Sequence, residues 1–276
     1  MRPSLRETGT LQMTNGQSFD PEGVAVIIPA LDEEEALPLV LADLGRLALL
    51  ETTVVVDNGS RDGTARVAAR EGARVVSEAR RGYGSACLSG IRFVLDRIPG
   101  TRIVVFLDAD HSDDTALIPD LVAPIRSDSS DLVLGARLRG LAEPGAILFH
   151  QRLGNAIACG TISALFGRRY SDLGPFRAVS MAALGRLGMT DTGFGWTVEM
   201  QVKAIQAGLR VREIPVPYRT RVGRSKISGT FAGSAKAAFK IGWTVALLRV
   251  RSLSLSRESS SATGSRRSAD PREPGS

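Results

Sequence analysis

Cysteine is scarce in this 276-residue chain: Cys87 and Cys159 are the only two, and they form no Cys-x-x-Cys pair. That excludes a disulfide framework, and both thiols read as buried groups of a reducing compartment. No run of about 18 apolar residues occurs, so no transmembrane helix is expected. Residues Met1 to Asp20 are polar and lack the apolar core of a signal peptide. Gly-x-Gly-x-x-Gly does not follow the first strand-like run, and Gly-x-x-x-x-Gly-Lys-Ser/Thr is missing. A dinucleotide-binding fold and a P-loop NTPase are therefore disfavoured. What is present is apolar: 43% of residues, enough for one large α/β domain or two small ones. The net charge of +6 is uneven. Arg210 to Arg251 holds ten Lys or Arg against one acid, Glu213, which points to a polyanionic partner such as nucleotide or lipid phosphates or an anionic membrane surface.

The stretch Ile103–Val104–Val105–Phe106–Leu107–Asp108–Ala109–Asp110 organises the rest. A continuous apolar run reads as a strand buried on both faces of a mostly parallel sheet, and ligands bind beyond the carboxyl ends of such strands. Asp108 and Asp110 fall at that end. If the segment stays extended, alternate residues point the same way, so one carboxylate can hold a hard cation while the other meets a bound hydroxyl.

Around it the chain alternates strand and helix. Val24–Ile28 is a strand stopped by Pro29, and Asp32 to Glu35 form an acidic turn in which Asp32 can cap the helix of Leu37, Val40, Leu41, Leu44 and Leu47. Thr53–Val56 is a second strand ending in the turn Asp57–Thr64, and Ala73–Val76 a third. Arg80–Ala86 is basic and Gly-rich; it opens a helix through Ile91 to Leu95 whose N-terminus can accept phosphate, or it is a flexible connector. Asp131–Leu134, a helix near His150–Phe166, a tight turn over Ser171–Arg177, a helix from Glu199 through Ala207, and an edge strand Arg212–Tyr218 with two prolines complete the order. Repeated β-α units predict a doubly wound, mostly parallel sheet with helices on both faces. The leader 1–22 and the tail 252–276 read as disordered. Residues 231–251 form an amphipathic helix suited either to an anionic membrane surface or to packing on the domain.

Six stretches in order carry a resemblance. They are Val26–Glu34, Val56–Thr64, Leu107–Asp110, Gly135–Arg137, Asp172–Arg177 and Arg221–Lys226. The chain resembles an inverting family-2 glycosyltransferase of GT-A type, closest to the dolichyl- or polyprenyl-phosphate hexosyltransferases. The resemblance covers about 22–230 and implies a GT-A domain over 23–230. It implies that Pro29, Ala30, Asp32 and Glu34 line the nucleotide pocket and that Asp57 holds the base or ribose. Asp108 then lies on the ribose or metal-bound phosphate side, and Asp110 is the main ligand of Mg2+ or Mn2+. Ser112 stands at a further metal-contact position. Arg137, Arg177, Arg221 and Lys226 form the cationic set around donor and acceptor phosphates, and Glu199 falls near the sugar and acceptor.

A divalent cation suits the diphosphate that leaves. A hydroxyl acceptor needs a general base, whereas a lipid phosphate is already an anion and needs positive charge instead. Glu199 is the lone carboxylate at the base position and can equally be a helix-opening residue. The balance favours transfer of a glucose or mannose from a UDP- or GDP-hexose to a polyprenyl phosphate, by a cytoplasmic protein at the inner face of the membrane. No nucleic acid is expected. The alternatives are a soluble acid or glycan hydroxyl as acceptor, a nucleotidyltransferase, or a non-catalytic binding module.

Overall fold

The computed structural model describes residues 11–12, 18–137 and 141–223. A two-residue antiparallel ladder, β1 (Leu11–Gln12) with β2 (Ser18–Phe19), lies inside the stretch read as a disordered leader. The main sheet is built from β3 (Val24–Ala30), β4 (Thr53–Asp57), β5 (Arg74–Ser77), β6 (Ile103–Phe106), β7 (Leu132–Ala136), β8 (Arg177–Ser180) and β9 (Val211–Pro215). Their spatial order is β5–β4–β3–β6–β8–β7–β9. All neighbours are parallel except β8, which runs antiparallel to both β6 and β7. Sequence patterning gave no strand at Arg177–Ser180, because four residues ending in a serine carry little periodicity. Pro215 ends β9, which lies at the sheet edge, with Pro217 just beyond it.

The strands are apolar on both faces because helices cover both. Ala25, Ile27, Val54, Val56, Val104 and Phe106 pack with α3 (Tyr83–Arg97), α5 (Phe149–Phe166), α6 (Met181–Leu187) and α7 (Trp196–Gln206). Val24, Val26, Ile28, Val55, Ile103 and Val105 pack with α1 (Leu37–Arg46), α2 (Thr64–Arg70) and α4 (Ile118–Arg126). The odd–even alternation along each strand is what sends neighbouring side chains to opposite layers. Pro38 and Pro119 sit in the first turns of α1 and α4, where a missing N–H costs nothing.

Two local expectations change. Asp32 does not cap α1, which starts five residues later behind Ala36. Asp32 instead adopts a positive φ of 53° and accepts from the Arg61 amide at 2.6 Å. The Gly-rich start of α3 is not a free phosphate cradle either. Gly84 N donates to Gly193 O at 3.1 Å and Ser85 N to Thr192 O at 3.0 Å. A Cβ at Gly84 would sit 2.0 Å from the Asp191 carbonyl oxygen, so glycine is there to admit a backbone, not an anion.

The chain runs β3, β4, β5 outward and then returns to place β6 on the other side of β3. This reversal leaves a crevice beyond the carboxyl ends of β3 and β6. The seat of α3 on these strands is tight: a Cβ at Gly90 would lie 2.5 Å from Ile27 Cγ2 and 3.2 Å from Val56 Cγ2. Gly90→Val is expected to cost about 2 kcal/mol or more in urea unfolding; an unchanged midpoint would show that the helix has room to retreat.

Candidate active site

A cavity of about 500 Å³ opens in that crevice. Pro29, Ala30 and Leu31 from the end of β3, and Asp108, Ala109 and Asp110 beyond β6, form one side. Asn58, Arg81, Gly82 and Tyr83 form another, with Glu33, Gly193, Phe194 and Arg221 completing it. The β6 strand itself stops at Phe106, so both aspartates lie in the turn that follows rather than on extended chain. The turn closes at His111, whose φ is 61° and whose Nε2 lies 2.9 Å from Asp43 Oδ2.

The acids in this turn are held differently. Asp110 is buried, and its Oδ1 accepts from both the amide and the hydroxyl of Ser112. Its Oδ2 faces Arg221 Nη1 at 3.3 Å. The other terminal nitrogen of Arg221, Nη2, is 2.8 Å from Glu33 Oε1, so one guanidinium spans two carboxylates. Asp113 is buried, and its Oδ2 accepts from the Asp108 amide at 3.1 Å while Oδ1 has no partner among the described residues. Desolvation pushes the Asp113 carboxyl up to about 7; the Asp108 amide bond opposes this and the Asp110 charge adds to it. Asp108 lines the cavity with no hydrogen bond or ion pair to its carboxylate among the described residues. Desolvation, then the charges of Asp110 and Asp113, push it well above the ordinary carboxylate range.

Of the residues anticipated for the site, Pro29, Ala30, Asp108, Asp110 and Arg221 line the cavity. Asp32, Glu34, Asp57, Ser112, Arg137, Arg177 and Glu199 do not. Glu34 accepts from the Gly63 amide at 2.7 Å, and Asp57 from the Ser60 amide at 3.0 Å, so with Asp32 they shape the 57–64 turn. Ser112 is buried behind Asp110 and orients it. Arg137 is held by both oxygens of Asp172, at 2.6 and 2.9 Å, and lies 5.0 Å from the centre of the Tyr218 ring. Arg177 is buried and donates to the carbonyls of Gly174 and Thr197. Glu199 is also buried. It accepts from Thr190 and Asp191 and pairs with Lys203 at 2.8 Å, which commits it to holding the 190–191 loop. Lys226 and the helix anticipated over 231–251 lie outside the described residues.

Glu33 and Asn58 were missed, and Arg81 belongs to the basic stretch Arg80–Ala86 without having been singled out in it. Glu33 sits between the two acids that were chosen, and the positive φ at Asp32 turns it inward, which counting by twos cannot anticipate. Asn58 ties Gly82 N at 2.8 Å to the carbonyls of Glu78 and Arg80, and so builds the wall on which Arg81 stands.

The residues fit a divalent cation. Among the described residues no group of three or more His, Cys, Asp or Glu forms a ready-made cage. Mg2+ and Mn2+ do not need one: a carboxylate or two suffices when water and ligand phosphates supply the rest. An unpaired carboxylate at Asp108, beside Asp110, is that kind of incomplete site.

The Asp113 carboxyl gives a pH test. Its folded value lies above the unfolded one near 3.8, so the folded chain binds more protons between about pH 4 and 7, and stability falls as pH rises through that window. Asp113→Asn keeps an acceptor for the Asp108 amide and removes the charge. In metal-free buffer it should raise stability by about 2 kcal/mol at pH 8, with the gain shrinking towards pH 4. A gain independent of pH would contradict the assignment.

Comparison with known proteins agrees with this geometry. Residues 25–186 match the model of Glycosyl transferase family 2. An uncharacterized glycosyltransferase of Mycobacterium tuberculosis is 40% identical, over 77% of this chain and 93% of its own length. The dolichyl-phosphate hexose transferase of Haloferax volcanii is 31% identical, over 78% of this chain and 90% of its own. In fold, the crystal structure of M. tuberculosis glucosyl-3-phosphoglycerate synthase, in complex with Mn2+, UDP and phosphoglyceric acid, superposes with a TM-score of 0.66 at 22% identity, covering 83% of this chain and 78% of that one. The chain belongs to glycosyl transferase family 2 and has the GT-A fold.

Proposed function

We propose that this glycosyltransferase moves a hexose from a nucleoside-diphosphate sugar to a polyprenyl phosphate, with inversion, using Mg2+ or Mn2+. Asp108 and Asp110 are the residues that would hold the cation, which supplies neutralisation of the diphosphate charge that develops as the glycosidic bond breaks. Pro29, Ala30, Asn58 and Arg81 line the part of the cavity beside β3 and β4, where the nucleoside fits. Arg221 is the cation placed to meet phosphate oxygens there.

The observation that carries the acceptor reading is the outer face of α5. Phe149 is 81% exposed, Leu153 50% and Ile157 61%, each four residues from the next, and Leu148, which precedes Phe149, is exposed as well. Residues four apart lie on one side of a helix, so this is a continuous apolar stripe. From 144 to 171 the chain has no acid, while Arg152, Arg168 and Arg169 are exposed. An apolar stripe on a helix that carries no acid suits the surface of an anionic bilayer, where a polyprenyl phosphate is found. The segment leading into α5 is bonded to the segment that carries Arg221: Glu143 N donates to Tyr218 O at 2.9 Å, and Thr220 N donates to Glu143 Oε2 at 2.7 Å. The withdrawal of Glu199 from the cavity adds support, because a phosphate acceptor needs no base. The H. volcanii relative bears a lipid-phosphate name. The rival is a soluble phosphorylated acid, as in the complex of the M. tuberculosis synthase.

No helix among the described residues is long and apolar enough to cross a membrane. Leu153→Glu with Ile157→Glu changes exposed positions only, so stability should move by less than about 0.5 kcal/mol per site. Cosedimentation with vesicles containing phosphatidylglycerol should fall about tenfold, and transfer to undecaprenyl phosphate with it. Efficient transfer to phosphoglycerate, unaffected by these changes, would favour the rival. Asp110→Asn should leave a folded protein with transfer reduced at least about a hundredfold for either acceptor; near-normal turnover would remove the metal-site reading.

A further inference from the structure

We propose that Arg221 is the resident counter-cation of the metal site, exchanged for the divalent ion when the donor binds. The proposal rests on the metal-dependent reading above. Its guanidinium lies 3.3 Å from Asp110 Oδ2 and 2.8 Å from Glu33 Oε1, bridging the two acids that line the cavity with Asp108. Asp110 Oδ1 is already taken by Ser112, so Oδ2 is the oxygen left for a cation, and that is the oxygen Arg221 faces.

Two like charges cannot share that oxygen cheaply. At a separation of about 4 Å in a partly desolvated site, their repulsion is enough to change an affinity tenfold or more. A metal ion bound at Asp110 therefore works against Arg221 in its present position. The arginine has somewhere to go. Its Nε is buried with no partner among the described residues, so its present bonding is incomplete, and it lines the cavity that a diphosphate would fill. A diphosphate brings oxygens that accept from a guanidinium in pairs.

The backbone around Arg221 is pinned while its side chain reaches across. Val222 N donates to Asp110 O at 3.0 Å and Arg219 N to Ser112 O at 2.9 Å, and the Arg219 side chain pairs with Asp114 at 3.0 Å. The exchange is thus a side-chain movement within a fixed frame. It makes metal and diphosphate binding cooperative: the metal alone must displace Arg221 into solvent, whereas metal and diphosphate together give it a new partner.

The test reads Mn2+ binding to the full chain, by loss of the free-ion electron paramagnetic resonance signal, with and without UDP. Arg221→Gln should bind Mn2+ alone about tenfold more tightly than the unaltered chain, because the competitor is gone, and UDP in saturating Mn2+ about tenfold less tightly, because a phosphate partner is gone. These shifts have opposite signs. Loss of a purely structural arginine would weaken both. Mn2+ binding that is unchanged or weaker in the variant overturns the exchange. Uptake of Mn2+ by neither protein, with or without UDP, overturns the metal-dependent reading and the exchange with it. Should Arg221→Gln fail to fold, Arg221→Lys keeps the charge but cannot span both acids. It should show a smaller gain for Mn2+ alone, and no gain counts against the exchange.

Discussion

The structure depends on neutralising a concentration of negative charge at one strand end. Asp108, Asp110 and Asp113 fall within one turn after β6, and two of them are buried. Buried carboxylates are costly unless bonded or paired. The chain meets this with three devices of different reach. The Ser112 amide and hydroxyl act within the turn, the Asp108 amide serves Asp113, and Arg221 arrives from more than a hundred residues away. That last contact fixes the path of residues 216–223. Val216 N pairs with Ala136 O, Tyr218 forms bridges to Asp113 and Ala142, and Val222 N reaches Asp110 O. The acids that prepare the site for a cation are thus also what closes the domain on its last described segment.

Much of this was legible in the sequence where the signal is a period or a run. The apolar runs Val24–Ile28, Thr53–Val56 and Ile103–Leu107 show the parallel half of the sheet, because burial on both faces leaves no polar alternation to confuse them. Pro29 does not stop β3, however, which continues to Ala30. The place of Asp108 and Asp110 followed from the same rule, since the carboxyl end of a central strand is where the order of a doubly wound sheet reverses. The antiparallel β8 was not legible, because its register is set by hydrogen bonding to β6 and β7 rather than by its own four residues. Nor was the inward turn of Glu33. A single positive φ at Asp32 redirects the acids after it, and nothing in a run of three glutamates tells which one faces in.

Charge type was a better guide than charge position. Four cations were read as a set around phosphates, and the described residues give three of them three different duties. Arg137 is consumed by Asp172 and stacks on Tyr218. Arg177 is buried among carbonyls, where desolvation lowers its pKa, and it ties the turn at Gly174 to the start of α7 at Thr197. Only Arg221 reaches the cavity. Glu199 follows the same pattern: it holds a loop whose neighbours Gly193 and Phe194 line the cavity. Arg177 and Glu199 both hold backbone near the cavity and do not line it. Their charge is needed because carbonyls and amides at loop ends bind charged partners more strongly than neutral ones.

The proposed membrane contact has the size that a reversible enzyme requires. Burying an exposed Phe, Leu or Ile yields about 1.5–3 kcal/mol each, so Phe149, Leu153 and Ile157 together offer roughly 5 kcal/mol after their partial exposure is discounted. That is close to what one myristoyl chain provides, which is marginal and reversible on its own. Each arginine near an anionic surface would add about 1 kcal/mol, and Arg152 is exposed next to Leu153 in the chain. The balance is self-limiting. On the proposed reading, a contact of this size would hold the protein at the surface reversibly without inserting the domain. A soluble acceptor needs none of this. An exposed row of Phe149, Leu153 and Ile157 is costly in water unless something covers it.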